Sequence, residues 1–334
     1  MKNWISLSEE RRKEIFVQTA EKLNLTTESV EKDFWVVVVL RAIFSLKISS
    51  HLVFKGGTSL SKCWNYLQRF SEDIDIAMNR ELIGYGGELS RTKAKSMRKV
   101  ACQYVSNDFK NMLQQQLVDM GFSAQELTVE AEETEAGTTD RDPQKLFVNY
   151  NSIISRSGYL KEKVVIEIGS RSQLEPSEKR KLNSLVADAF PDGSFIQEPL
   201  EVIAISPKRT FMEKLILLHE EFSKQPEQIR SERMSRHLYD IERLMETEYG
   251  IDALRDKELF KTIISHRNLF TPIKGVDYES LEMNALSFMP PDSLLPLWEK
   301  DYNTMRGEMF YGKSLDFTEL LKRLEELSKR LKSK

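Results

Sequence analysis

Two aspartates, Asp73 and Asp75, stand in the segment Ser71-Glu72-Asp73-Ile74-Asp75-Ile76-Ala77-Met78, where polar and apolar residues alternate. Such alternation reads as a strand. On a strand, residues i and i+2 point to the same face. Two carboxylates placed side by side repel each other unless something positive lies between them. A divalent cation meets that need, and magnesium takes such oxygen ligands with water and substrate phosphate completing its shell. A bare D-x-D also fits a solvated edge strand. Here Ile74 and Ile76 occupy the opposite face and Phe70 precedes the pair, which favours a site. Upstream lies Gly56-Gly57-Thr58-Ser59, between a short apolar segment and a helical one. Paired glycines let backbone N–H groups approach a ligand closely, and a helix N-terminus carries the positive end of a dipole. That suits a phosphate, although a plain strand-to-helix turn with a Thr/Ser cap has the same appearance. The spacing is not that of a P-loop, G-x-x-x-x-G-K-[ST].

The elements that position these residues follow from local signals. Ser6-x-x-Glu9 has the form of a capping box and predicts a helix from about Leu7 to Leu23. A second helix is expected over Thr27–Leu46: its four consecutive valines favour a strand by propensity, but the length without Gly or Pro favours a buried helix. A strand over His51–Lys55, a helix over Thr58–Gln68 and the acidic strand follow. The Gly84–Gly87 loop precedes a long helix from Ser90 to Met120, closed by Gly121. Three strands are predicted at Leu127–Glu133, Lys145–Asn151 and Lys163–Gly169, the first two joined by a loop over Glu135–Pro143. A helix over Ser177–Phe190 and a strand over Leu200–Ile205 complete this half. After Pro207 everything reads helical, with breaks near Pro226, Gly250, Pro272, Gly275 and Pro290-Pro291. The expected organisation is α+β, with a first domain over 1–206 and a helical second domain over 207–334.

Composition narrows the partners. The chain has 334 residues, 49 Lys+Arg against 52 Asp+Glu, and a formal net charge of -3, which excludes a uniformly basic nucleic-acid coat. The run Arg91, Lys93, Lys95, Arg98, Lys99 is the local exception. It reads either as a solvated helix face or as a landing strip for a nucleic-acid backbone. The two cysteines, Cys63 and Cys102, form no C-x-x-C pair and read as small core residues. The four histidines show no metal-ligand spacing. The longest apolar run, Phe34–Leu40, is far short of the ~20 residues that span a bilayer. With an N-terminus unlike a signal peptide, these features lead us to expect a cytoplasmic protein with no membrane partner.

A strand, Gly-Gly-Thr/Ser, a helix and then D-x-D on the next strand resembles the signature of the nucleotidyltransferase superfamily typified by DNA polymerase β. That resemblance implies a mixed sheet with flanking helices. It also implies a third carboxylate on a later strand, for which Glu167, in Val164-Val165-Ile166-Glu167-Ile168, is the candidate, its alternative being a solvent-facing edge Glu. A narrower resemblance covers Lys55–Lys62 and Arg69–Asp75, which are similar to the core of the AbiEii/AbiGii nucleotidyltransferase toxins, as is Glu31-Lys32-Asp33-Phe34-Trp35 upstream. Glu213-Lys214-Leu215 and Arg236-His237-Leu238-Tyr239-Asp240 resemble that family's third and fourth motifs, with His237 where Asp is common.

The family resemblance implies a toxin of a toxin–antitoxin or phage-defence pair. It implies a nucleoside triphosphate with magnesium or manganese, an RNA acceptor such as the tRNA 3′ end, and a separately encoded antitoxin. In that scheme Asp73 and Asp75 hold the metal and amides at Gly56, Gly57 and Thr58 cradle phosphates, with Ser59 adding a hydroxyl. Lys62 or Arg69 neutralises the leaving pyrophosphate, or is an ordinary surface base. Lys214 contacts phosphate. Asp240 orients Lys214, or pairs with Arg236 on its own helix. Arg91, Lys95, Arg98 and Lys99 would meet RNA. Two other readings remain at this stage: a D-x-D glycosyltransferase, and a catalytically inactive partner-binding regulator of the same fold.

Overall fold

A computed structural model describes residues 1–71, 73–133, 141–154 and 162–333. Glu72 of the predicted acidic strand, and residues 135–140 of the predicted Glu135–Pro143 loop, lie outside the described residues. Two compact units are present: Met1–Trp64 with Phe70–Ala204, and Asn65–Arg69 with Ile205–Lys334. The linear division at 206/207 therefore lacked one feature: the stretch Asn65–Arg69 belongs to the second unit.

The first unit holds α1 (Lys2–Ile5), α2 (Glu9–Leu23), α3 (Thr27–Phe44), β1 (Leu52–Lys55), α4 (Gly56–Trp64) and β2 (Asp73–Met78). Then come α5 (Arg91–Tyr104), α6 (Lys110–Asp119), β3 (Leu127–Ala131), β4 (Gln144–Tyr150), β5 (Lys163–Gly169), β6 (Ser177–Leu182), α7 (Leu185–Ala189) and β7 (Leu200–Ile205). A π-helical turn, Val105–Phe109, divides the predicted long helix into α5 and α6. The sheet has the order β3-β4-β5-β2-β1-β7-β6. It is mixed: β2 runs parallel to β5 and antiparallel to β1, β4 is antiparallel to both neighbours, and β1 is parallel to β7.

One face of this sheet is core. Ile74, Ile76, Leu146, Val148, Val164, Ile166 and Ile168 are fully buried, and α3 packs against β2 and β5. The valine run of α3 is helical because burial on every side suits apolar residues irrespective of propensity. Its Glu31-Lys32-Asp33 triplet is also buried, and each member ends on a specific partner. Glu31 accepts from Ser152 Oγ and the Ile153 amide, and Lys32 Nζ donates to the Lys163 carbonyl at the start of β5. Asp33 takes Lys62 Nζ of α4 at 2.5 Å and the Leu185 amide at the start of α7 at 2.7 Å. The triplet thus ties α3 to the elements around the acidic strand. Asp33→Ala should lower stability by about 3 kcal/mol, because Lys62 would be left buried without its counter-ion; a urea unfolding curve measures this.

Two local expectations were wrong. The N-cap of α2 is Ser8, which accepts from the Arg11 amide, while Ser6 Oγ donates to the Asn3 carbonyl. The segment Ser177–Phe190 is not one helix but strand β6 followed by α7. Glu178, Lys179, Arg180 and Lys181 are good helix formers, yet they form a charged edge strand beside β7, where sheet pairing overrides propensity. Ser184 then caps α7 by accepting from the Ala187 amide.

The second unit is helical: α8 (Pro207–Phe222), α9 (Arg236–Met245), α10 (Glu248–Ala253), α11 (Lys257–Phe270), α12 (Leu295–Glu308) and α13 (Phe317–Lys332). The strap Asn65–Arg69 is bonded into it through its backbone. Tyr239 Oη accepts from the Gln68 amide, the Gln68 carbonyl accepts from the Tyr311 and Gly312 amides, and Arg243 Nε donates to the Tyr66 carbonyl. Among the described residues no helix is long and apolar enough to cross a membrane.

Candidate active site

The sheet face opposite the core is half-exposed and charged. Strand register places Asp75 directly beside Lys55 of β1 on one side and Glu167 of β5 on the other. Glu167 in turn lies beside Lys145 of β4. Residues directly opposite in adjacent strands share a face, with Cβ atoms ~5 Å apart. One row across the sheet therefore reads Lys145, Glu167, Asp75, Lys55. The row above it contains Asp73, beside Val165. The alternation of buried Ile74 and Ile76 with half-buried Asp73 and Asp75 puts both aspartates on this face.

Between β1 and α4 the backbone turns at Gly56, whose φ is +80°, a left-handed conformation that side chains rarely allow. A Cβ built there would lie 2.0 Å from Asp75 Oδ2. Gly56 is thus required twice: for its dihedral angle, and because the Asp75 carboxylate rests on its backbone at the N-terminus of α4. The first-turn amides of a helix have no partner within it and favour negative charge. Thr58 is fully buried; its Oγ1 donates toward the Asp73 carbonyl at 2.5 Å and lies 2.8 Å from Ser71 Oγ, joining the helix start to the acidic strand. Ser59 Oγ donates to the Gly56 carbonyl and is wholly buried. That hydroxyl, expected to contact phosphate, braces the turn in this structure.

The residues present fit a divalent cation. Asp73 and Asp75 offer hard oxygens on one face beside a helix N-terminus, and magnesium is commonly held by one or two carboxylates with water and substrate phosphates. Among the described residues no group of three or more His, Cys, Asp and Glu converges as a metal cluster. The Glu167 carboxylate, the predicted third ligand, is paired with Lys145 Nζ at 2.8 Å. Glu167, together with Glu132 and Asp73, raises the Lys145 pKa and keeps it protonated. Sequence reasoning passed over Lys145; the only signal was its place in the alternation of Gln144–Tyr150.

The second unit brings together three predicted residues. Asp240 on α9 is fully buried and accepts Arg69 Nε at 2.7 Å, Arg69 Nη2 at 2.8 Å and Lys214 Nζ at 2.8 Å. Of the two roles considered for Asp240, the geometry supplies the link to Lys214, and it adds one to Arg69. Both cations hold the Asp240 carboxyl well below the usual carboxylate range, against the opposing effect of burial. Burial and the neighbouring Arg69 lower the Lys214 pKa. His237 is buried too: its Nδ1 lies 3.3 Å from Lys214 Nζ, and burial, with the charges of Lys214 and Arg236, pushes its pKa well below the ordinary value.

Two residues expected at phosphate have acidic partners. Lys62 is spent on Asp33 within the first unit, its side chain 11% exposed. Arg69, 3% exposed, is committed bidentately to Asp240. The basic run lies on α5, where Ala94, Met97 and Ala101 are buried, Arg91, Lys93, Lys95 and Lys99 are exposed, and Arg98 is half-buried. Both cysteines are buried and free, and burial raises the Cys63 thiol to about 12, leaving it unreactive.

A mixed sheet that presents paired carboxylates beside a Gly-Gly helix start has the form of a nucleotidyltransferase. The family model "Nucleotidyl transferase AbiEii toxin, Type IV TA system" matches residues 39–323, and the chain belongs to that family. Membership carries with it an antitoxin partner. Among solved structures, the chain is similar to the nucleotidyltransferase toxin MenT4 from Mycobacterium tuberculosis H37Rv, with 14% identity over 98% of this chain and 99% of that one and a TM-score of 0.44. It is also similar to JHP933 from Helicobacter pylori, with 13% identity over 92% of this chain and 94% of that one and a TM-score of 0.45. No curated protein matches the sequence.

Proposed function

We propose that this toxin transfers a nucleotide from a nucleoside triphosphate to an RNA acceptor, the tRNA 3′ end being the first candidate, with a divalent cation held by Asp73 and Asp75. The observation that carries this reading is the seating of Asp75 on Gly56 at the start of α4, with the carboxylate beside the first-turn amides of a helix, a setting that favours phosphate. In the transfer, an acceptor hydroxyl oxygen forms a bond to the α-phosphorus. The bond from that phosphorus to the α,β-bridging oxygen breaks, pyrophosphate leaves with the electron pair, and the hydroxyl proton passes to solvent. When bound, the cation supplies Lewis-acid polarisation of the phosphates and lowers the pKa of the attacking hydroxyl. Amides of Gly57 and Thr58 meet the triphosphate oxygens. Lys214, aligned by Asp240 and His237, offers an ammonium to phosphate. The test is incubation with total RNA, magnesium and each labelled triphosphate in turn. Label on RNA of tRNA size from at least one nucleotide is expected; no label from any nucleotide overturns the reading.

The exposed face of α5 is the proposed RNA contact. A stripe of cations on a chain of net charge -3 makes binding salt-dependent, with a log–log slope of about 0.7–0.9 per neutralised phosphate. Replacing Arg91, Lys95 and Lys99 together by Ala should weaken RNA binding and reduce that slope by about 2. Triphosphate affinity should stay unchanged. An unchanged slope would make the face merely solvated.

A further inference from the structure

We propose that Lys145 is an internal counter-cation that withholds Glu167 from the metal, so that the centre binds its divalent ion through Asp73 and Asp75 alone. This rests on the metal-dependent reading above and deepens it.

Glu167 stands where a third carboxylate is expected: in register with Asp75, on the neighbouring strand, on the same face of the sheet. Its carboxylate does not join the pair. Lys145, one strand further out and in register with Glu167, holds it at 2.8 Å. The row Lys145, Glu167, Asp75, Lys55 is then two acids flanked by two bases, with no net charge. A divalent ion approaching this face meets a cation already in place beside Glu167. The Lys145–Glu167 side chains are 34% and 27% exposed, so the bridge adds little to folding stability, and removing it leaves the sheet intact. Its consequence is electrostatic. Without the lysine the row carries one net negative charge, and Glu167 is released toward the ion.

The test uses the full chain without nucleotide, with Mn²⁺ binding followed by electron paramagnetic resonance and thermal melting as the fold control. Lys145→Met should bind Mn²⁺ about three- to tenfold more tightly than wild type, the range expected for the loss of one partly screened charge. Glu167→Gln alone leaves Lys145 unpaired and the row one charge positive, so it should weaken binding by about the same three- to tenfold. Lys145→Met combined with Glu167→Gln restores the neutral row and should return the affinity to within about twofold of wild type. A fivefold or greater weakening by the double variant relative to wild type overturns the proposal, because the carboxylate would already be a ligand. Equal Mn²⁺ affinity for wild type and Lys145→Met overturns it as well. Mn²⁺ binding that is indifferent to Asp73→Asn and Asp75→Asn identifies a different failure, that of the metal centre itself, and the proposal falls with it.

Discussion

Asp240→Ala is expected to lower the stability of the chain by about 3–5 kcal/mol, the largest loss from any single side chain described above. Asp240 is 0% exposed and accepts from two cations that are themselves nearly buried, Arg69 at 3% and Lys214 at 8%. Removing one member of a buried ion cluster leaves the others charged in a medium that cannot solvate them, and that penalty exceeds the value of the pair itself. The loss extends beyond α9, because Arg69 ends the strap Asn65–Arg69, whose other anchors include backbone bonds to Tyr239, Arg243, Tyr311 and Gly312. The pH dependence has a definite sign. The Asp240 pKa is depressed on folding, so its contribution is fully present above the ordinary carboxylate pKa of about 4 and disappears as pH falls through the folded value. Acid unfolding of the variant should therefore show a shallower fall in stability below about pH 4 than wild type. Urea unfolding at pH 7 and pH 3.5 gives both numbers. Lys214→Met is the companion variant: it removes one cation, keeps the Arg69–Asp240 pair, and should fold while losing transfer activity. Equal stability of Asp240→Ala and wild type at pH 7 would refute the assignment of a buried, charged cluster.

The parts of the fold legible in the sequence are those written in local alternation. Strands β5 and β7 fall at Lys163–Gly169 and Leu200–Ile205, as the apolar pattern predicted, because each buries one face and the period shows it. Segment β6 was misread because Glu, Lys and Arg favour helix intrinsically, and only a neighbouring strand makes Ser177–Leu182 extended. The acidic pair and the glycine turn were visible because their spacing is short and their chemistry local. The partners of Arg69 and Lys62 were not. Arg69 and Asp240 are 171 residues apart, and nothing at either position announces the other. Lys62 looked like an ordinary base one turn into a helix; its role is set by Asp33, buried on α3. The fate of Glu167 was decided in the same non-local way, since sheet register alone brings Lys145 against it. Motif spacing thus singled out the candidate residues, while the disposition of each cation was fixed by tertiary pairing.

Asp73→Asn and Asp75→Asn should each reduce nucleotide transfer by about 10³-fold or more, roughly 4 kcal/mol of transition-state stabilisation, with little change in melting temperature. Both side chains are half-buried on the solvent side of β2, while the strand is held by Ile74 and Ile76 at the core, so loss of charge should spare the fold. Asparagine keeps the shape and one oxygen but removes the negative charge that attracts a divalent ion. Gly56→Ala tests the same centre from the other side. Its Cβ would lie 2.0 Å from Asp75 Oδ2 at a φ of +80°, so the carboxylate must swing away or the turn must rearrange. Gly56→Ala should therefore approach the aspartate variants in lost transfer. It should also weaken binding of a non-hydrolysable triphosphate, because the first amides of α4 move with the turn. Gly84→Ala is the control: Gly84 also has a positive φ, but an added Cβ meets nothing within 4 Å, so it should cost stability through its dihedral alone and leave triphosphate binding intact. If Asp73→Asn and Asp75→Asn retain more than about a tenth of wild-type transfer at saturating magnesium, the carboxylate pair is not the metal site. If Gly56→Ala behaves like Gly84→Ala, the contact between Asp75 and the helix start has no part in catalysis.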